Sequence, residues 1–450
     1  MAKEIFTSDS LQRFKQLSKE LFAKEGILVQ LDEIFGARWS FVAGETPKRG
    51  FPLFSQRYPL GQNFGLVIYS NNQLPKGKLD ELNQRTQRAL QSKSKKRITS
   101  KLTKSEIEHF LQTEDETEIE KLYSRADDVR KRFVGDEVHI RGIIEASNVC
   151  GKSCLYCGLR KENKKIKRYT LTTDEIYSSA KAAHALGYGT VVIQTGEAKV
   201  YSTTELCILL GRIKKKLNLA ITLSLGELSK HTLQRLFDAG ADRYLLRFET
   251  SDKKLFKMLK PDGDFDSRFE MLKNLRQIGY QVGSGIMIGL PNQSNSSIAD
   301  DILLFASLGL DMVGCGPFIA NPHTPLANST GGDLTQSLKL IALTRLTTLD
   351  AHIPATTALG TIDPQGRQQG LKCGANIIMP NCTPQKYRKE YLLYPNKICT
   401  TEKPSDCATC IRLMIEQCGR KIGKGYGDSL KKWKMKNGKW KMENGTTDGH

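Results

Sequence analysis

From residue 137 onward, short β-branched, apolar runs alternate with longer segments of helical periodicity, and this limits the fold more than any other feature of the chain. Strands are predicted at 138–144, 190–193, 220–223, 243–248, 282–288, 312–315, 353–356 and 376–379. Helices are predicted between them at 173–186, 204–217, 229–239, 265–278, 297–308, 335–349 and 365–372. Several helices stop at a glycine that directly precedes the next strand (Gly187, Gly240, Gly279, Gly374), where a left-handed cap is expected. Eight strands with intervening helices and no hairpin turns define a parallel (β/α)8 barrel of the TIM type. Working residues of such a barrel sit at the C-terminal ends of its strands. Polar groups fall there: Gln194, Thr195 and Glu197, then Ser224 and Glu227, Arg247 and Glu249, Asn321 and His323, Thr356 and Thr357, and Asn381.

The loop after the first strand carries Cys150, Cys154 and Cys157 in the pattern Cys-x3-Cys-x2-Cys, with Gly151 and Gly158 beside them. Three thiolates this close suit a metal cluster. Iron–sulfur cubanes normally take four cysteines, and a structural zinc takes four Cys or His ligands. The nearest histidines, His139 and His184, lie outside the motif. A cubane on three cysteines leaves one iron open to a ligand that the protein does not supply. If that ligand carries an amino group, a carboxylate and a sulfonium, one electron can break a carbon–sulfur bond and leave a carbon radical, which only a closed interior would protect.

Cys399, Cys407 and Cys410 form a second, less specific pattern, Cys-x7-Cys-x2-Cys, with Cys382 and Cys418 outside it. Unconnected cysteines are the plainer alternative there. Cys207, Cys315 and Cys373 stand alone among apolar neighbours and are expected in the core. An odd total of 11 cysteines with no secretion signal argues for metal or catalytic use over a disulfide framework. No apolar run is long enough to span a bilayer, and Glu4 and Asp9 speak against a targeting peptide. The expected location is the cytoplasm, or an organelle matrix in a eukaryotic host. The net charge of +20 is concentrated at 93–104, 152–168 and 420–441, without any nucleic-acid module. A nucleic-acid-binding iron–sulfur protein is therefore the alternative of a different class. It would bind with a steep salt dependence.

The expected organisation is a small α/β domain at 1–90, with a helix at 11–22, strands at 26–31, 37–43 and 64–69, and a closing helix at 79–90. A basic linker and helices follow at 91–135, the barrel occupies 136–383, and an extension with the second cysteine group spans 384–432. The tail, 433–450, begins within a near-repeat, KWKMKNG then KWKMENG, and is expected to be mobile.

The cysteine motif with Tyr156 before its last cysteine resembles that of radical S-adenosylmethionine (SAM) enzymes. Longer segments, EVHIRGIIEASNVCGKSCLYCGLR, IQTGEAKVY, YLLRFET, DMVGCGPFIANPHTPLAN, IPATTALGTIDPQGRQQGLKCGANIIMPN and YPNKIC, resemble the HydE family of FeFe-hydrogenase maturases, over residues 98–432. The resemblance implies a SAM-binding 4Fe–4S cluster on Cys150, Cys154 and Cys157, with Tyr156 beside the adenine. It implies that Gln194, Thr195 and Glu197 meet the methionine part of SAM, Arg268 its carboxylate and Glu249 the ribose. Arg247 and Met312 would line the same pocket, and Thr222, Thr356 and Thr357 would face the substrate. Cys399, Cys407 and Cys410 match a second, accessory cluster. The implied reaction cleaves SAM reductively to methionine and a 5′-deoxyadenosyl radical. That radical acts on a cysteine-bound iron carbonyl cyanide made by HydG, with HydF downstream and a ferredoxin or flavodoxin supplying electrons. Biotin-synthase-like or methylornithine-synthase-like chemistry on a small organic substrate is the neighbouring alternative.

Overall fold

The computed structural model describes residues 102–431 in full, and the backbone of strands on either side of that range. The chain divides into two compact units, Met1–Ser100 and Lys101–His450. In the first, β1 (Ile27–Glu33), β2 (Arg38–Ala43), β3 (Phe54–Pro59) and β4 (Phe64–Ser70) form an antiparallel sheet in the order β2-β1-β4-β3. β3 is absent from the sequence expectation because its centre is polar and it ends in Pro59. It is an edge strand, where proline forfeits no hydrogen bond on the open side. The helices expected at 11–22 and 79–90, and the linker at 91–97, lie outside the described residues.

In the second unit, β5 (Glu137–Ser147), β6 (Thr190–Thr195), β7 (Ala220–Ser224), β8 (Arg243–Leu245), β9 (Gln281–Ile288), β10 (Met312–Pro317) and β11 (Ile377–Ile378) run parallel in the order β10-β9-β8-β7-β6-β5-β11. The regular strand expected at 353–356 is absent, since Pro354 has no N–H to donate. Single bridges take its place, Met312 to His352 and Pro354 to Ile377. Val313 N–H donates to His352 O (2.9 Å) and Asn376 N–H to Ile353 O (2.8 Å), so this segment joins β10 to β11 and the sheet returns on itself. The strand expected at 243–248 ends at Leu245, three residues early: Phe248 N–H donates to the Ser284 hydroxyl (3.3 Å) in place of a ladder carbonyl, and Glu249, at φ +68°, rejoins through a bridge to Ile286.

Local signals set the helices. Thr172 with Glu175, and Ser202 with Glu205, are reciprocal capping boxes, while Asp264, Ser294 and Asp333 cap single helices. Val191, Val192 and Ile193 are wholly buried, as expected for a strand covered on both faces. Cys315 and Cys373 are core residues as expected, whereas Cys207 is half-buried on its helix.

The end of the extension closes the barrel floor. β12 (Lys421–Ile422) pairs with the start of β5, and the chain then runs beneath the N-terminal ends of the strands. Arg141 Nη2 donates to Gly427 O (2.9 Å), Arg243 Nη2 pairs with Asp428 Oδ1 (2.5 Å), and His352 Nε2 donates to Asp428 O (2.9 Å). Ser429 and Lys431 bind Asp311 and Asp350. Gly427 is required for fit, because a Cβ there would lie 2.6 Å from the His139 ring. Asp428→Ala should lower the urea midpoint of unfolding by an amount equal to about 1–2 kcal/mol, because Arg243, 4 % exposed, loses its only carboxylate partner among the described residues. An unchanged midpoint would show that the strap adds nothing. Beyond it, the two copies of the near-repeat pair with each other as the antiparallel strands β13 (Trp433–Lys436) and β14 (Lys439–Met442), separated by Asn437-Gly438, a hairpin-turn sequence.

Candidate active site

The cysteine loop leaves β5 at the opposite, C-terminal end of the barrel and is fastened at many points. Asn148 Nδ2 donates to Lys167 O and Glu390 O, both at 2.8 Å. Arg168 gathers four carbonyls, those of Asn148, Leu159, Arg160 and Asn163. Gly151 N–H donates to Glu197 O (3.0 Å), Leu155 N–H to Leu259 O (2.8 Å) and Gly158 N–H to Leu393 O (2.9 Å). A Cβ on Gly196 would meet Val149 O at 2.3 Å, and one on Gly158 would meet Leu392 O at 2.1 Å. Glycine at both positions lets three separate segments close around the cysteines.

Cys154 is buried, while Cys150 and Cys157 are half-buried. Burial pushes the Cys154 and Cys157 thiols up, so they stay protonated unless a metal takes the charge. Among the described residues, no three Cys, His, Asp or Glu side chains converge as they would around a single ion. Thiolates holding a cubane each bind a different iron, so the donor set fits the cluster better than a lone metal.

Next to the loop lies a knot of buried charge. Glu197 Oε1 accepts from Arg268 Nη2 (3.0 Å) and Lys260 Nζ (3.3 Å). Arg268 also meets Glu227 Oε1 at 2.9 Å and donates to Arg247 O (3.1 Å). Arg247 Nη2 stands 3.0 Å from Glu249 Oε2, and Tyr156 OH donates to Glu249 Oε1 (3.4 Å). Burial would raise the Glu197 carboxyl, but Lys260 and Arg268 outweigh it and hold the group at about 2. Gly226 makes room for this side chain, since a Cβ there would lie 2.3 Å from Glu197 Cγ. Several buried polar atoms of the knot have no hydrogen-bond partner, among them Glu197 Oε2, Arg247 Nε and Arg268 Nε. Such atoms are costly unless a ligand satisfies them. An amino acid with a free ammonium and carboxylate is complementary to that set.

The remaining expected site residues divide between the two ends of the barrel. Gln194 and Thr195 end β6, beside the loop, but the Thr195 hydroxyl is spent on Gly196 O (2.7 Å). Thr356 caps the helix Thr357–Ile362 and lies 3.0 Å from the Cβ position of Gly316 at the C-terminal end of β10. Met312 is not brought to Arg247. It is the first residue of β10, and its sulfur accepts from Arg141 Nη1 (3.2 Å) near the floor. A small closed cavity there is lined by Met312, Arg141, Arg243, His352 and Thr222, whose buried hydroxyl has no partner. Cys399, at φ +62°, faces Cys407, and the hydrogen bond between the two thiols holds the Cys399 thiol below its ordinary range. Cys407 and Cys410 are one turn apart on the helix Pro404–Gln417, and Cys410 is exposed.

The model of the Radical SAM superfamily matches residues 144–342. The [FeFe] hydrogenase maturase subunit HydE of Thermotoga maritima is 48% identical over 325 residues, covering 72% of this chain and 93% of that protein. The chain belongs to the HydE family of radical SAM enzymes. It is accordingly a radical SAM enzyme of hydrogenase maturation, a family that works with a 4Fe–4S cluster and SAM. A 3-methylornithine synthase of Methanosarcina acetivorans is 30% identical over 279 residues, covering 62% of this chain and 79% of that protein. The crystal structure of a methylornithine synthase matches with a TM-score of 0.64 at 26% identity, covering 72% of this chain and 95% of that one. HydG of Carboxydothermus hydrogenoformans, at 16% identity and a TM-score of 0.60, covering 77% and 85%, shares the fold. The knot around Glu197 adjoins the cysteine loop.

Lys260, Asp262 and Lys397 escaped the sequence reading. Asp262 accepts from Ser153 N–H (3.0 Å), and Lys397 pairs with Glu145 in the interior. Lys260 and Asp262 lie between a helix and a helix cap, away from any strand end, so the rim rule does not reach them. The proline at 261 between them was the one available hint of a fixed turn.

Proposed function

We propose that this chain performs the HydE-type step of di-iron cluster assembly, acting on a cysteine-bound iron carbonyl cyanide supplied by HydG, with its product passing to HydF. The observation that carries the reading is the buried charge knot beside three cysteines, with its unsatisfied atoms facing amino-acid chemistry. Cys150, Cys154 and Cys157 would hold the cluster, which would supply the electron for reductive cleavage of SAM to methionine and a 5′-deoxyadenosyl radical. Arg268, through its free Nε, binds the SAM carboxylate, and Glu197, through its free Oε2, takes the ammonium. Glu249 holds the ribose, while Tyr156, already tied to Glu249, orders the adenine side. Thr356 and Thr357 meet the substrate at the rim, and Thr222 deeper in the barrel. A ferredoxin or flavodoxin delivers the electron, in the cytoplasm or an organelle matrix.

The deciding experiment is replacement of HydE by this protein in an anaerobic maturation mixture that otherwise yields active FeFe-hydrogenase. Active hydrogenase is expected. Intact SAM cleavage without hydrogenase activity would move the assignment to a small organic substrate, the reading favoured by the match to methylornithine synthase.

The accessory triad is a second part of the proposal. Cys399, Cys407 and Cys410, set on one helical turn and the loop before it, bind a further iron–sulfur cluster. Replacing all three with Ser should remove the iron of one cubane and leave SAM cleavage in place. Unchanged iron content would reject the site.

A further inference from the structure

Lys260 is 3 % exposed, and among the described residues its ammonium has one hydrogen-bond partner, Glu197 Oε1 at 3.3 Å. Three donors on a buried cation with a single acceptor leave most of its hydrogen-bonding capacity unspent. Its backbone position is fixed on both sides by the cysteine loop. Leu155 N–H donates to Leu259 O (2.8 Å), and Ser153 N–H donates to Asp262 Oδ2 (3.0 Å). These are the residues on either side of Cys154, so the 259–262 turn straddles that cysteine with Lys260 between the two clamps. The Lys260 charge acts on the sulfurs of both Cys154 and Cys157. Burying an ammonium so deeply is unfavourable unless enough negative charge meets it. Glu197 is shared with Arg268, so Lys260 does not have that carboxylate to itself.

We propose that Lys260 is an electrostatic tuning residue for the cluster held by Cys150, Cys154 and Cys157, stabilising its reduced state, and that it positions Glu197 for SAM. The inference rests on the assignment of the cluster to those cysteines. Accepting one electron adds one negative charge to the cluster and moves no proton or bond. A fixed cation beside Cys154 favours that state over the oxidised one, and the low dielectric of the buried site magnifies the effect. Lys260 shuttles no electron and touches no reacting carbon.

The test is a potentiometric titration of the anaerobically reconstituted full-length protein, with the reduced cluster read by electron paramagnetic resonance and iron measured in parallel. To isolate this cluster, all proteins carry Ser at Cys399, Cys407 and Cys410. Lys260→Met should lower the ratio of reduced to oxidised cluster at a fixed potential about tenfold, which for one electron is about 59 mV. Lys260→Arg should restore most of it, and Lys254→Met, an exposed position on the helix that ends just before Lys260, should change nothing. An unchanged midpoint in Lys260→Met at full iron content would overturn the proposal. Should the methionine variant take up less iron, Lys260→Gln serves the same comparison. Loss of iron in both neutral variants with recovery in the arginine variant supports the requirement for charge, and loss in all three overturns it. Absence of cluster from the reference protein itself would instead reject the assignment of the cysteines.

Discussion

Cys154→Ala is expected to bring release of 5′-deoxyadenosine from SAM and dithionite below detection. Cys154 is the buried middle member of the motif, at 6 % exposure, and two clamps fix its neighbours, Leu155 N–H on Leu259 O and Ser153 N–H on Asp262. The thiol is held protonated by burial in the absence of metal, so the position has little use other than ligation. Alanine removes the ligand but preserves the backbone hydrogen bonds, so the variant should remain folded with a near-normal thermal midpoint. Measuring iron, cleavage product and midpoint together separates loss of the cluster from loss of the fold. Turnover that survived the substitution would refute the radical mechanism for this loop.

Arg268→Met is expected to have the second largest effect, on both stability and SAM binding. The guanidinium is 2 % exposed and joins Glu197 at 3.0 Å to Glu227 at 2.9 Å. Its removal leaves two carboxylates facing one another, with Lys260 as the buried cation left beside Glu197. Breaking a buried pair costs about 3–5 kcal/mol; the low end applies here, because Glu197 and Glu227 keep part of their solvation. A matching fall in the urea midpoint is expected. The dissociation constant for SAM should rise at least about tenfold, or about 1.4 kcal/mol, because Arg268 Nε is one of the unsatisfied atoms offered to the ligand. Lys at this position should recover stability only in part, since a single ammonium cannot reproduce the planar fork that spans Glu197, Glu227 and Arg247 O. Wild-type SAM affinity in Arg268→Met would remove Arg268 from the binding role.

Both variants concern residues visible in the sequence, yet the reasons for their effects are not. Arg268 lies mid-chain on the helix Phe265–Ile278, and nothing in its neighbours indicates that Glu197, 71 residues earlier, is its partner. Met312 shows the converse. Its strand was correctly placed, but being first on β10 and not last sends its sulfur toward Arg141 and the floor. The strand is predicted to begin at residue 312, as it does, so this placement was legible; the pocket role for Met312 came from the resemblance alone. The 353–356 segment failed as a regular strand for a local reason, Pro354, and still completes the ring through single hydrogen bonds on either side.

The sequence by itself determined the barrel class and the cysteine loop, because both are written in short-range patterns: the alternation of apolar runs with capped helices, and three cysteines within eight residues. Only the tertiary structure decided that residues 421–431 seal the floor, that Gly196 and Gly226 make room for the cysteine loop and Glu197, and that the 259–262 turn carrying Lys260 is clamped to the residues flanking Cys154. Those features depend on contacts between segments distant in the chain. Close approach and burial arise only when the strands have closed into a ring, and a linear pattern carries no record of either.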